Sequence, residues 1–440
     1  MTQRPNTSVL ESETAATNMA TSTSRALLAA ACAAALVGCS STVTGVALTE
    51  SPSADHADVA LMDTGNYRTT AGPPIGKAGK NAIAGPALEA MRMAPYVTGP
   101  WVVDSALNKP EAVPTRPLPD AKSLTLVLGD PFHRVDGGPL PDIAAAHGFI
   151  AGFSTARSSQ PPDPPQAMIN AVLRFPDADA AAAAAAELVA KNPQRGTAPA
   201  EPIPVPSHPE STASTYTDAA GSSVVQSFTA HGPFVLYQFV RISREPHHAA
   251  LMAASALDVQ EPAIDRFEPT DPAKLADLPI DPSGYLEART LAAPDRKYAV
   301  LNTGVYAPRG ALHFERDPIE SARLFETAGV EWVSQLLVEV YQTHNAAGAA
   351  RIVDRFAGDL SALPGVEPSA PVAGLPVASC FEQPVGWEPI TNLAERGYKT
   401  SKWHFACVAR ADRYAYIAYS DTETDVKQQV SAQYRILAGK

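Results

Sequence analysis

Two cysteines in the body of the chain, Cys380 and Cys407, are the residues whose type and spacing most constrain their chemistry. They enclose 26 residues. In an oxidising compartment such a pair closes a disulfide, which loop entropy makes worth roughly 3 kcal/mol. Two other readings use the same thiols. His404, three residues before Cys407, could join them on a metal, but a structural zinc site takes four ligands and only three are in view. A redox pair would be expected as Cys-x-x-Cys, which the chain lacks. The disulfide is the expectation, and no metal or cofactor is expected.

Other chemistry-bearing residues give weaker signals. His-Glu-x-x-His, Gly-x-Gly-x-x-Gly and Ser-x-x-Lys are all absent. The segment from Gly152 to Ala156 imitates a nucleophile elbow around Ser154, but it ends on Ala and alternates like a strand. Gly72 to Lys77 imitates a phosphate loop with the wrong spacing and no hydroxyl after Lys77. His247 and His248 are adjacent, so a helix points them apart. Asp177 and Asp179 precede an alanine tract that offers calcium no further oxygens, which leaves helix capping. No catalytic residue is assigned, and whether the chain is an enzyme stays open. The candidate binding residues are aromatic: Tyr96 and Trp101 around a Gly-Pro, and Tyr414 and Tyr416 on one face of a strand, with sheet packing as the alternative.

The N-terminus explains why oxidation is expected. Ala26–Val37 is an apolar run of twelve residues behind Arg25, too short to span a bilayer, which takes ~20. It suits the apolar core of an export signal. It ends in Leu36, Val37, Gly38 and Cys39, the pattern of a bacterial lipobox, with Cys39 as the lipidation site. Residues 1–38 are therefore expected as a signal peptide and 39–57 as a lipidated polar tether. Residues 1–18 are acidic at Glu11 and Glu13, so Met19 makes the better start. The expected partners are membrane lipid, through the Cys39 anchor, and the enzymes that process lipoproteins. The expected place is the extracytoplasmic face of the cell membrane. A net charge of −12 offers no basic footprint, which excludes a nucleic-acid partner.

The elements that would position these residues fall into two similar halves. In the first, Ala171–Phe175 reads as a strand, Asp177 caps a helix to Val189, a proline-rich stretch follows, Val224–Thr229 and Phe234–Ile242 form a hairpin, and a helix starts at Glu245. In the second, Leu336–Tyr341 is a strand, a helix runs from Asn345, another proline-rich stretch follows, Phe405–Val408 and Tyr414–Tyr419 form a hairpin, and a helix runs from Thr422 to Leu437. Residues 58–67 and Leu124–Leu128 also read as strands. The motif Leu61–Tyr67 parallels Val300–Tyr306. The expected architecture is α+β: two duplicated β-α-β-β-α domains, each an antiparallel or mixed sheet with helices on one face. They would span 58–267 and 284–440, joined by a polar, proline-rich linker at 268–283.

The segments LMDTGNY, MAPYVTGPW, GFIAGFSTARSS and NAVLRFPDADAAAAAA, with the late cysteine pair behind a lipobox, resemble mycobacterial and nocardial lipoproteins of an uncharacterised domain family. The resemblance implies a cell-envelope location and no known activity. In element order alone, the second half is similar to the extracytoplasmic sensor domains of some mycobacterial kinases. The functional expectation is an envelope lipoprotein that binds a ligand or a protein partner without catalysis. The alternatives are a scaffold for exported proteins or an envelope-acting hydrolase.

Overall fold

The structure, a computed structural model, describes residues 56–111, 113–129, 137–191, 200–293, 302–383 and 403–440. The signal segment, the lipobox residues Leu36, Val37 and Gly38, and Cys39 lie outside them. The described residues form one compact unit.

The first half contains helices α1 (Ala84–Met93), α2 (Pro100–Val103), α3 (Leu140–Ala146), α4 (Ala178–Ala190) and α5 (Pro246–Ile264). Its strands are β1 (Lys109–Pro110), β2 (Arg116–Leu118), β3 (Ala151–Ser158), β4 (Gln166–Arg174), β5 (Glu201–Pro202), β6 (Thr212–Thr217), β7 (Ser223–His231) and β8 (Phe234–Ile242). The second half contains β9 (Gly304–Tyr306), α6 (Pro308–Ala311), α7 (Pro318–Ala328), β10 (Val330–Gln335), β11 (Glu339–Thr343) and α8 (Ala346–Ser361). It closes with β12 (Glu367–Pro368), β13 (Ser379–Glu382), β14 (Phe405–Ala411), β15 (Tyr414–Ser420) and α9 (Glu423–Ala438). The chain is α+β, with two antiparallel sheets.

The two sheets have the same wiring. One runs β3-β4-β8-β7-β6-β5 and the other β10-β11-β15-β14-β13-β12. The match reaches single residues. Phe234 pairs with Arg174, and Tyr414 with Gln342. Three residues past each of those partners stands a helix cap: the Asp177 carboxylate accepts from the Ala180 N–H, and the Asn345 amide oxygen from the Gly348 N–H. Such side chains satisfy a donor that the first turn leaves bare. Glu201-Pro202 and Glu367-Pro368 form the equivalent two-residue edge strands. Beyond them, matching backbone turns join His208 to Val205 and Leu375 to Val372. Within those turns, Gly374 takes φ +75°, while its counterpart Ser207 takes φ +65°, a region that disfavours any side chain.

Several expectations change. The helices do not cover one face. Alternation along β4 and β8 sends Ile169, Leu173 and Tyr237 to the α4 side, and Met168, Leu236 and Val240 to the α5 side. In the second half, α8 and α9 likewise lie on opposite faces. The expected strand at 58–67 holds a 3₁₀ turn over Val59–Leu61, and Leu124–Leu128 begins in the last turn of a 3₁₀ helix over Ala121–Leu126. The motif parallel does not mark equivalent places. Asp63 and Tyr67 bond to Gln428 and Asp425 of α9, whereas Gly304–Tyr306 is a strand of the second sheet. Residues 268–283 hold a 3₁₀ helix, Pro272–Asp277, packed beside α1.

A contiguous apolar core joins the α5 side of the first sheet to the α8 side of the second. Phe153, His313, Phe314 and Tyr306 bridge it, with ring centroids 4.9 to 6.2 Å apart. Cys380 and Cys407 stand directly opposite each other on β13 and β14, Cα atoms 4.1 Å apart, and form a buried disulfide beneath α9.

Candidate functional site

The ordering of residues 313–316 begins with a buried cation. Arg157 on β3 is fully buried, and its guanidinium donates to the carbonyls of Asn108 at 2.6 Å, Glu315 at 2.7 Å and His313 at 3.0 Å. It also stacks 5.1 Å over the Trp101 ring. A buried charge must be matched group by group, so these bonds fix the 313–316 segment against the edge of the first sheet. Glu315 is then held inward. Its carboxylate accepts from the Tyr341 hydroxyl at 3.0 Å and from Ser321 Oγ at 3.2 Å. Asp317 caps α7 by accepting from the Glu320 N–H at 3.1 Å.

These constraints shape a cleft of about 630 Å³ beside the second sheet. Trp403, Ile417 and Tyr419 come from the sheet, and Phe356, Leu360 and Leu363 from α8 and the turn after it. Lys109 approaches from β1, and Arg316, Glu320 and Arg355 from the segments around α7 and α8. Arg355 pairs with Asp359 at 2.8 Å and with Glu320 at 3.6 Å, and the Asp359 bond raises its pKa. The Arg316 side chain is exposed. Burial, reinforced by Glu339 and Glu315, pushes the Tyr419 hydroxyl well above its ordinary pKa, so it serves as a neutral hydrogen-bonding group. The arrangement combines an apolar aromatic floor with a charged rim, which suits a small ligand having an apolar body and a polar end.

The structure does not bring the sequence-derived candidates together. Tyr96 packs on Phe267 in the shared core, centroids 5.4 Å apart, and Trp101 lies under Arg157. Tyr414 and Tyr416 are buried beneath α9, where Tyr414 accepts from Arg289 at 3.2 Å and Tyr416 donates to the Val430 carbonyl at 3.3 Å. Ser154 is a buried strand residue, and Lys77 pairs with Asp277 on the surface. His404 lies 3.3 Å from Glu382 and takes no part in the disulfide. The cleft residues Glu315, Arg316, Trp403 and Tyr419 were missed. The dense run His313–Asp317 is the signal that could have pointed to them. His208, Glu210 and Glu261 were also missed as a cluster able to face a metal ion. Among the described residues, no helix is long and apolar enough to cross a membrane.

No curated protein matches the chain. A solved structure, the extracellular domain of PknH from Mycobacterium tuberculosis, is similar at 17% identity and a TM-score of 0.25. The likeness covers 38% of this chain and 94% of that one, and it is too slight to carry an argument. Residues 76–280 match the N-terminal domain of unknown function DUF7373, and residues 286–440 match its C-terminal counterpart. The chain belongs to the family defined by these two domains.

Proposed function

We propose that this protein is an exported lipoprotein, anchored by a lipid on Cys39 to the extracytoplasmic face of the cell membrane, that binds a small amphipathic ligand in the cleft at Trp403. The lipobox and the short apolar run behind Arg25 support the anchor. The observation behind the binding role is the cleft itself: an aromatic and aliphatic floor of Trp403, Ile417 and Phe356 under the cationic groups of Arg316 and Lys109. Such a surface favours a ligand whose apolar part displaces water from the floor while an anionic or hydroxyl-rich end meets the rim.

The test is equilibrium binding of an anionic aromatic amphiphile, 8-anilinonaphthalene-1-sulfonate, to the folded mature chain. One saturable site is expected. Trp403→Ala should weaken it by tenfold or more, and Arg316→Ala by a few fold. Unchanged affinity in both variants would remove the cleft from the reading. Detergent-phase partitioning that Cys39→Ala leaves unaltered would remove the anchor.

A further inference from the structure

We propose that His208, Glu210 and Glu261 form a three-ligand binding site, completed by water, for a divalent transition-metal cation of the zinc class, with Asp258 orienting the imidazole. The site lies away from the cleft, between the turn linking β5 to β6 and the last turns of α5. Asp258 and Glu261 stand three residues apart on α5 and so share one helix face. The backbone turns at Val205 and Ser211 aim His208 at that face.

The geometry is that of a ligand set. The imidazole Nε2 lies 3.0 Å from the Asp258 carboxylate. Nδ1 lies 3.0 Å from Glu210 Oε1 and 3.6 Å from Glu261 Oε1. The three candidate ligand atoms fall within 4.8 Å of one another. With metal–nitrogen and metal–oxygen bonds of about 2.0–2.2 Å, the edges of a tetrahedron measure about 3.3–3.6 Å. Small side-chain movements would bring the present separations onto such edges.

The charges favour a cation at this point. A neutral imidazole has one N–H. If Nε2 donates it to Asp258, the Nδ1 lone pair faces two carboxylates, and a proton or a metal ion there relieves that repulsion. The carboxylate behind the imidazole is the usual outer partner of a metal-bound histidine. His208 is nine-tenths buried. Among the described residues, no lysine or arginine pairs with Glu210, Asp258 or Glu261.

The other half of the molecule provides an independent comparison. In the equivalent turn, Leu375 occupies the place of His208 and Val377 that of Glu210. Leu375 is fully buried among apolar neighbours beneath α9. An apolar plug therefore suffices to fold this turn, and the imidazole and carboxylate are an addition in one copy. Ser207 holds its positive φ next to the imidazole where the other copy has Gly374.

The experiment is calorimetric titration of zinc into the metal-free, oxidised full mature chain, with magnesium and calcium as controls and melting temperature as a second readout. One zinc per chain is expected, with magnesium and calcium at least a hundredfold weaker. His208→Leu, which copies the other half, should abolish binding while the protein stays folded. Glu261→Gln and Glu210→Gln should each weaken binding at least tenfold without altering the fold, and they decide the matter if the leucine variant does not fold. Absence of zinc binding at millimolar concentration would overturn the proposal and leave a proton as the cation. Unchanged affinity in the variants would also overturn it.

Discussion

Beneath α5 and beneath α9 the two sheets solve one packing problem with opposite chemistry. In the second sheet, Cys380 and Cys407 tie β13 to β14, and Ala418, paired with Cys407, adds only a methyl group. At the matching places the first sheet has Ala213, Ser227 and Gln238. Ser227 Oγ donates to Gln238 at 2.9 Å, and Gln238 donates to Asn170 at 3.1 Å. Asn170 donates to Gln260 of α5 at 2.7 Å and to the Thr98 carbonyl at 2.9 Å. Gln260 donates onward to the Tyr96 carbonyl at 2.9 Å. All of these side chains are buried. One wiring thus accepts either a covalent tie among apolar neighbours or an amide chain that reaches a helix and the segment before it. The difference lies in how each fails: a bridge removed leaves a small apolar gap, whereas an amide chain cut once strands polar groups in a dry interior.

The largest expected effect is at the bridge. Replacing both Cys380 and Cys407 with Ala removes a constraint across a sequence separation of 27. Loop entropy sets the loss at about 3.5 kcal/mol for a loop of that size. Denaturant unfolding should show it as a lower midpoint with a native far-ultraviolet spectrum. A variant as stable as the parent would mean that apolar packing beneath α9 already fixes the register alone. Next comes Asn170→Val, which gives the first sheet the apolar residue that Val338 supplies just before β11. It takes a donor from Thr98 and Gln260 and an acceptor from Gln238, at an expected cost of about 2–3 kcal/mol. A cost below that of an ordinary surface change would show that the amide chain is decorative and would break the comparison.

Much of the fold could be read because its signals are local. Asp177 before the alanine tract, Asn345 before α8 and Thr422 before α9 are helix caps. The hairpins are tight, with two residues between the paired ends His231 and Phe234, and again between Ala411 and Tyr414. The cysteine pair could be read from its even number behind an expected export signal. What escaped depends on distant partners. The strand β10 at Val330–Gln335 carries Glu331, Ser334 and Gln335, too polar to advertise a sheet core. Helices on both faces leave the strands apolar on both sides, a pattern that does not say how many helices cover them. The cleft escaped because Lys109, Glu315 and Trp403 are far apart in sequence and meet only after Arg157 fixes the segment between the halves. His208 and Glu261 are separated by three strands and most of a helix, so no spacing rule could join them.

The joint between the sheets matches neither copy, and its histidine tests whether the halves act together. His313 is fully enclosed, with Nε2 2.9 Å from the Ala94 carbonyl and Nδ1 3.1 Å from Thr155 Oγ1. Trp101 and Phe153 pack on the ring, and Arg157 and Arg309 add like charge. Burial is the main cause that lowers its pKa to about 4, from an ordinary 6.5. In the unfolded chain His313 therefore takes up a proton near pH 6.5, while in the folded chain its imidazole stays neutral until about pH 4. Between those limits the unfolded state binds more protons, so stability falls as pH falls, by up to about 1.4 kcal/mol per pH unit. His313→Gln, which can still donate to Ala94, should flatten that slope without changing the stability at pH 8 by as much. Because the shared core passes through Phe153, Phe314 and Tyr306, acid should lower one cooperative transition reporting on both sheets. Two transitions, with only one sensitive to pH and to this substitution, would mean that the halves unfold independently across the joint.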